Sequence, residues 1–417
     1  MNGVPKISLL PKRFLDWCFV LFVSLTIIFS TVRGQTYIYL YFGYAFTILF
    51  SFYALHNNIK PVPEVGVYWA WLLWATLAGV FTALDQALYK EMLWTCIQIG
   101  IMIFLVTAFQ KTKSDMGLFF FATIVAISII VFISFQNGEI NLARREEMLM
   151  GPRIEGMTGN ANTFGYYFLC AAFGLTYIIV TKKKLLTRFV CIGLVGACFF
   201  GAIFTASKKA FIGFIAFYAF LWLFSLRREF FKKPIIILLT TVITATVLIG
   251  SLFFLEGTRI GKRFEDMQTG EVSAETRKSF YEVGLEIVER YPIAGVGLGN
   301  FKAYPTAYGM YSHSNYVEVI TNTGVVGFFL YYMIYFILFL RLRRISRLTA
   351  DPHTLTIIGL MTAIFFTQIL YGFAMVQIAS KMSWLVLCVL IGHSSYLNKT
   401  LTKQRFNILK DHNSLAT

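Results

Sequence analysis

The stretch YSHSNYVEVITNTGVVG, residues 311–327, places a histidine directly before an apolar, membrane-length segment. The ordinary pKa of histidine lies near neutrality, so His313 can accept or donate a proton at physiological pH. Glu318 follows about one and a half helical turns later, near enough to orient the imidazole or to cap the segment. Because an isolated histidine is more often structural than catalytic, the role of His313 depends on its surroundings.

Basic residues that could bind a phosphate group lie in three other stretches. Arg153 is in GPRIEGMTGNANTFG, Lys208 and Lys209 are in FTASKKAFIGF, and Arg277 is near the start of SAETRKSFYEVGLEIVERYP. Arginine makes paired hydrogen bonds to phosphate oxygens, and lysine supplies a point charge. Arg290, near the end of the same stretch as Arg277, is a further basic candidate. Each of these side chains could instead reach along a membrane interface, and this alternative is strongest for Arg290. A histidine that shares one side of a membrane with such cations has the surroundings that a reaction with a phosphate leaving group would need.

The composition defines the elements that must position these residues. The chain has 417 residues, of which 57% are hydrophobic and only 14% charged, whereas soluble domains have about a quarter charged residues. Continuous apolar runs long enough to span a bilayer as helices predict an all-α, polytopic membrane protein. The net charge of +16 could suggest nucleic-acid binding. The basic residues lie in short clusters between apolar runs, however, which is typical of membrane topology, and we expect no nucleic-acid partner.

We predict about twelve transmembrane helices. The expected spans are residues 14–32, 37–56, 66–83, 92–109, 117–135, 162–180, 187–205, 209–226, 234–255, 316–340, 355–374 and 383–398. Basic residues are concentrated in the flanks that include 182–188 and 341–347, so both termini are predicted to be cytoplasmic. With this orientation, four histidines fall on the cytoplasmic side of the inner membrane and His313 faces outward.

A large extracytoplasmic loop divides the chain into residues 1–255, 256–315 and 316–417. Within the loop we expect an amphipathic helix that ends before Pro292, because the residue before a proline avoids the α region. Tyr281, Leu285 and Val288 recur with helical spacing, and this stripe is predicted to pack on the bundle or at the lipid interface. The segment GVGLGN, 295–300, lacks the spacing of a nucleotide-binding loop and is interpreted as flexible glycines.

The sequence predicts neither a metal nor a cofactor. The six cysteines all lie in apolar segments and show no metal-ligand spacing, so they are interpreted as small hydrophobic residues. Glu265 and Asp266 are adjacent, but no further carboxylate or histidine accompanies them in a pattern that would hold a cation.

With these residues, the chain resembles the bacterial O-antigen ligase and polymerase family. Four stretches carry the resemblance: RIEGMTGNANTFG, FTASKKAFIGF, TRKSFYEVGLEIVERYPIAGVGLGNF and SHSNYVEVITNTGVVGFFLYY. Lys208 stands where the family usually has arginine, and Lys209 could substitute for it. Arg277 matches a second family arginine, and His313 matches the histidine ahead of TGVVG. The family usually has a His-Asn pair at this point, and here Ser314 stands between His313 and Asn315. The resemblance therefore gives Asn315 a supporting role.

The resemblance implies a metal-independent, inverting glycosyltransferase that uses an undecaprenyl-diphosphate-linked glycan as donor. Arg277 and Lys208 would then bind the diphosphate, and His313 would accept the proton of the acceptor hydroxyl. The acceptor would be a lipid-linked repeat unit for a polymerase, or a lipid A core for a lipopolysaccharide ligase. Arg145 followed by Gly156 fits an Arg-x10-Gly pattern of polymerases, which favours that alternative slightly.

Two other classes of protein were weighed. A flippase for lipid-linked oligosaccharide suits twelve spans, but it predicts polar groups along a path through the membrane, and the predicted spans have almost none at their centres. It would also leave the structured outer loop unexplained. A membrane sensor or scaffold would need a cytoplasmic domain through which to signal, and the sequence predicts none.

Overall fold

The chain folds into α-helices, and a computed structural model describes residues 12–30, 36–140, 154–226 and 272–415. Within these ranges the side chains of residues 12, 36–42, 226, 272–278 and 408–415 are not described. The described helices are α1 Lys12–Phe29, α2 Thr36–His56, α3 Pro63–Thr82, α4 Gln86–Gln110, α5 Gly117–Gln136, α6 Ala161–Thr181, α7 Leu185–Phe204, α8 Lys208–Leu221, α9 Val272–Arg290, α10 Asn315–Leu348, α11 Pro352–Gly372 and α12 Lys381–Leu415. A π-helical turn, Trp222–Leu226, continues α8.

Each predicted span except the ninth coincides with one of these helices, and the ninth, 234–255, lies outside the described residues. The all-α prediction is confirmed for the described part of the chain, where no strand occurs. Eight of the described helices are long and apolar enough to cross a membrane: α3, α4, α5, α6, α7, α8 with its π turn, α10 and α11. The number of about twelve spans, the side on which the termini lie and the three-part division of the chain stay predictions.

Aromatic rings join the centre of the bundle. Tyr68 and Trp71 of α3, Tyr331 of α10 and Trp384 of α12 are fully buried, and their neighbouring ring centroids lie 5.1–5.6 Å apart. Such tilted and edge-on contacts are favourable for aromatic rings, which bury large apolar areas. Tyr68 also donates a hydrogen bond of 2.8 Å to the carbonyl of Cys96 on α4. This cluster therefore fixes α3, α4, α10 and α12 against one another.

An ion pair holds the same helices at the opposite end from His313. Arg341 of α10 lies 2.8 Å from the Glu64 carboxylate of α3, and Glu64 is fully buried. The guanidinium also donates to the carbonyl of Ile391 and to Ser394 on α12. A buried charge of this kind is tolerated only when it is paired, so the two residues depend on each other.

Helix α9, in the segment predicted to be a large loop, ends at Arg290, two residues before Pro292, as predicted. The prediction that its stripe Tyr281, Leu285 and Val288 packs on the bundle is wrong, because Tyr281 is 49% exposed and Leu285 60%. The adjacent face, which includes Phe280, Val283 and Ile287, is buried instead. Gly284 lies on this face, where a Cβ atom would come 2.6 Å from Val317 of α10, so the absence of a side chain lets the two helices approach closely. The lipid-interface alternative for the exposed stripe stays a prediction.

The segment GVGLGN is not a flexible loop, which corrects the interpretation of its glycines. Gly295, Gly297 and Gly299 all have positive φ, the conformation that glycine adopts without strain. The Val296 and Gly297 amides donate to the carbonyls of Thr321 and Asn322 on α10, at 2.9 and 3.0 Å. A Cβ at Gly295 would lie 2.5 Å from the Thr321 carbonyl oxygen. The glycines are needed for close backbone packing rather than for motion.

The segment docks where α10 is broken. Gly324 has φ 67° and ψ −176°, which interrupts the helix. Its neighbour Val325 donates to the carbonyl of Pro292 instead of continuing the helical pattern, and the Thr323 carbonyl accepts from the indole of Trp74. Backbone groups released by the break are thus paired by the loop and by α3, as buried backbone groups must be.

Candidate functional site

A cavity of about 560 Å³ opens at the end of the bundle where α4, α6, α8, α10 and α12 begin and α1 ends. Its size lies within the range of small-molecule sites. The residues that line it are Phe29, Ser30, Met92, Thr95, Asn160, Asn162, Thr163, Tyr167, Lys209, Gly299, Lys302, Tyr311, His313, Glu318, Met375, Val376, Ala379, Ser380, Lys381 and Met382. The candidate histidine therefore lies in the wall of a cavity that also contains three lysines.

His313 is held in a tight turn before α10. Its φ of 59° is positive, which is uncommon for a residue with a side chain and reflects constraint by its neighbours. The imidazole lies between two aromatic rings, with centroid distances of 4.4 Å to Tyr311 and 6.0 Å to Phe280. Because Phe280 belongs to α9, the loop helix forms part of the surroundings of the histidine.

Glu318 fixes the turn that carries His313. Its buried carboxylate accepts hydrogen bonds from the Ser312 amide at 3.1 Å and the Ser312 hydroxyl at 2.7 Å. The other carboxylate oxygen accepts from the Asn322 side chain at 3.3 Å. Asn322 in turn accepts from the amide of Phe301, so the same network reaches the loop. Glu318 thus holds Ser312, the residue next to the histidine, and its supporting role in the reaction stays a prediction.

Asn315 performs a structural task at the start of α10. Its side-chain oxygen accepts from the amides of Gln377 and Ile378, both at 2.8 Å. Its side-chain nitrogen donates to the hydroxyl of Tyr332 at 3.0 Å. The amide therefore connects the histidine turn to the segment between α11 and α12, which also lines the cavity.

The predicted basic residues differ in their positions relative to the cavity. Lys209 lines the cavity, whereas its neighbour Lys208, the first residue of α8, is not part of the lining. Arg277 lies on α9 three residues before Phe280, but its side chain is outside the described part of the chain. Arg153 lies outside the described residues altogether. The structure therefore brings together His313, Glu318 and Lys209 from the predicted set.

Lys302 and Lys381 also line the cavity and were not among the candidates from the sequence. Lys381 is the first residue of α12 and donates a hydrogen bond of 3.0 Å to Gln98 of α4. A signal existed for Lys381, because it is a basic residue just before a predicted span, as Lys208 is. Lys302 follows the glycine segment, and it reaches the cavity because that segment packs on α10, which no local sequence pattern indicates.

Helix N-termini add to the positive character of the cavity. Asn160 caps α6 by accepting from the amides of Asn162 and Thr163, and Ser207 caps α8 while donating to Asn162 at 2.9 Å. The N-terminal ends of helices carry a partial positive charge that favours anions. Together with the lysines, they make the cavity suited to a phosphate-bearing ligand.

Tyr311 lines the cavity beside Asn160, the residue that caps α6. Burial raises the pKa of its hydroxyl, and the nearby Glu318 carboxylate adds to this effect, while a hydrogen bond with Asn160 opposes it. The hydroxyl therefore stays protonated at physiological pH and remains available as a hydrogen-bond donor. The described residues contain no group of three or more histidines, cysteines or carboxylates able to hold a metal ion, and the predicted independence of metals and cofactors stays a prediction.

These features define a multi-pass helical membrane protein with a basic, histidine-containing cavity at one end of its bundle. Residues 193–332 match the family model Wzy_C, described as O-antigen ligase. The match confirms the resemblance to the O-antigen ligase and polymerase family and supports a role of that type in surface polysaccharide assembly. The matched segment contains Lys208, Lys209, Arg277 and His313, whereas Arg153 and Lys381 lie outside it. A search of curated proteins finds no match to this chain.

Proposed function

We propose that the protein is an inverting glycosyltransferase that acts outside the inner membrane. It joins an undecaprenyl-diphosphate-linked oligosaccharide to the hydroxyl of an acceptor glycan. The observation that carries the proposal is that His313 and Lys209, from distant parts of the chain, line one cavity bordered by helix N-termini. A proton acceptor and fixed positive charge in one site are the groups that displacement of a sugar from a diphosphate requires.

In the proposed reaction, His313 accepts the proton from the acceptor hydroxyl as its oxygen attacks C1 of the donor sugar. The bond between C1 and the diphosphate oxygen breaks, and undecaprenyl diphosphate leaves. Lys209 and Arg277 bind the diphosphate and stabilise the negative charge that develops on it, with Lys208 and Arg153 as further candidates. A single displacement of this kind inverts the configuration at C1. Glu318 and Asn315 keep the histidine turn in position, as their hydrogen bonds indicate.

The test uses purified full-length protein in lipid nanodiscs with an undecaprenyl-diphosphate-linked oligosaccharide. Two acceptors are supplied separately: a lipid-linked repeat unit and a lipid A core. We expect joining to one of them, and polymerase activity is slightly favoured. His313→Ala is expected to lose about 10²- to 10⁴-fold in rate, the usual contribution of general base catalysis. Lys209→Ala is expected to lose at least about tenfold, because one electrostatic contact to the leaving group disappears.

Matched controls come from the other end of the bundle. His353→Ala and Lys183→Ala replace the same residue types at exposed positions, so they should retain the wild-type rate. The enzymatic proposal fails if no joining occurs with either acceptor while the protein moves lipid-linked oligosaccharide across vesicle membranes, because that result identifies a flippase. The assignment of His313 fails if its alanine variant joins glycans at the wild-type rate.

A further inference from the structure

A second, narrow groove of about 60 Å³ adjoins the cavity. It lies between α1, α2 and α4, and its lining residues other than Lys381 are Phe22, Thr26, Gly43, Tyr44, Thr47, Gln98, Ile101, Met102 and Leu105. Lys381 lines both the groove and the cavity, so the two spaces meet at its side chain. Neither the family match nor the sequence assigns a role to this groove or to Lys381.

The groove is more apolar than its residue types indicate. The Thr26 hydroxyl donates to the Phe22 carbonyl at 2.7 Å, and the Thr47 hydroxyl donates to the Gly43 carbonyl at 2.6 Å. Both hydroxyls are therefore turned back onto their own helices. The only amide and the only charged group in the groove lining are those of Gln98 and Lys381, which are bonded to each other where the groove meets the cavity.

The groove continues the cavity along the same helix faces. On α4, Met92 and Thr95 line the cavity, and the groove lining follows at helical spacing from residue 98 to residue 105. At the end of α1, residue 29 and the next residue, 30, line the cavity, and residues 22 and 26 of α1 line the groove. At 1.5 Å per residue, the distance from Thr95 to Leu105 is about 15 Å, or about half of the hydrocarbon thickness of a bilayer.

We propose that this groove binds the polyprenyl chain of the lipid-linked donor next to its diphosphate, and that Lys381 is a diphosphate-binding residue at the junction. The inference rests on the proposed function. A ligand with an anionic head and a long apolar chain matches a basic cavity that leads into an apolar groove within the membrane. Because the groove is small, it holds only the isoprene units nearest the diphosphate, which places the leaving group at a fixed depth beside His313.

The test is photo-crosslinking of the full-length protein in nanodiscs with undecaprenyl diphosphate that carries a diazirine in its first isoprene units. We expect crosslinked peptides from the groove faces of α1 and α4. Gly43→Leu should lower labelling by about tenfold, because excluding about two methylene groups from the groove costs that factor in affinity. Gly193→Leu is the matched control: this glycine lies on α7 with open space around it and lines neither site, so labelling should stay unchanged.

Lys381→Met tests the charge separately, since methionine keeps an unbranched apolar chain. A second probe, undecaprenol with the same diazirine, carries no charge. We expect Lys381→Met to weaken labelling by the diphosphate probe and to leave labelling by undecaprenol unchanged. Crosslinks mapped in the unaltered protein give a result that does not depend on the folding of any variant. The inference is overturned if those crosslinks lie outside the groove, or if ordinary phospholipid competes as well as undecaprenyl diphosphate does.

Failure of the groove can be separated from failure of the enzymatic proposal. Groove crosslinks in a protein that joins no glycan would support the lipid-binding inference and refute the transferase. If the protein joins glycans but the crosslinks lie elsewhere, the lipid-binding inference is refuted and the glycosyltransferase proposal is supported.

Discussion

Replacing Gly324 by alanine tests how the break in α10 is maintained. At φ 67° and ψ −176°, a residue with a side chain occupies a region reserved almost entirely for glycine, at a cost of about 1–3 kcal/mol. The added Cβ would also overlap the Ile293 carbonyl and lie 2.6 Å from the Ala294 nitrogen. These are backbone atoms that cannot rotate away, so overpacking adds about 1–3 kcal/mol. We expect Gly324→Ala to lower the free energy of unfolding by about 2–6 kcal/mol, the sum of the two contributions.

The measurement is denaturant unfolding of the purified protein in detergent, together with amide hydrogen exchange. Gly193→Ala on α7 is the control, because nothing lies within 4 Å of the added Cβ and the backbone is ordinary helix. The strained variant should also show faster exchange at the amides of Val296 and Gly297, which bond to α10 beside the break. A Gly324→Ala protein within about 0.5 kcal/mol of wild type, with unchanged exchange at both amides, would refute the reasoning.

Two further predictions concern the networks at either end of α10. Glu318→Gln should lower the free energy of unfolding by about 1–3 kcal/mol and slow glycan joining. The carboxylate accepts hydrogen bonds at both oxygens, from Ser312 and from Asn322, whereas glutamine has a single oxygen, so one of these buried donors would lose its acceptor. Thermal unfolding and transfer rates check it, and wild-type values in both would contradict it. Arg341→Met should cost about 3–5 kcal/mol, since it leaves the Glu64 carboxylate buried without its charge partner. Adding Glu64→Gln should recover most of that loss, and a double variant no more stable than the single one would argue against the ion pair.

Much of the fold could be predicted because membrane-spanning helices leave a direct signal. Length and apolarity of a run suffice for a span, since every backbone group must be paired within its own helix in lipid. The long loop that contains α9 lacks this constraint, and there the prediction failed in detail. Residues 280 and 281 begin two adjacent apolar stripes on α9, and spacing alone does not reveal which one meets α10.

The site could be predicted in part for a related reason. His313, Lys209 and Glu318 stand at span ends that the topology places on one side, so their proximity follows from counting helices. Lys302 depends on how the glycine segment folds, which is decided by backbone contacts with Thr321 and Asn322 rather than by any local pattern. The spacing of residues along the sequence does not predict such contacts between distant parts of the chain.

The break in α10 has a mechanical consequence. A continuous helix would transmit any tilt of its membrane-embedded portion to the histidine at its start. Here the short portion from Asn315 to Thr323 is bonded to the loop segment 292–297 and to Trp74, and it is separated from the rest by Gly324. We therefore expect changes in bilayer thickness to be absorbed below the break, so that the imidazole keeps its place while the helices beneath it adapt to the surrounding lipid.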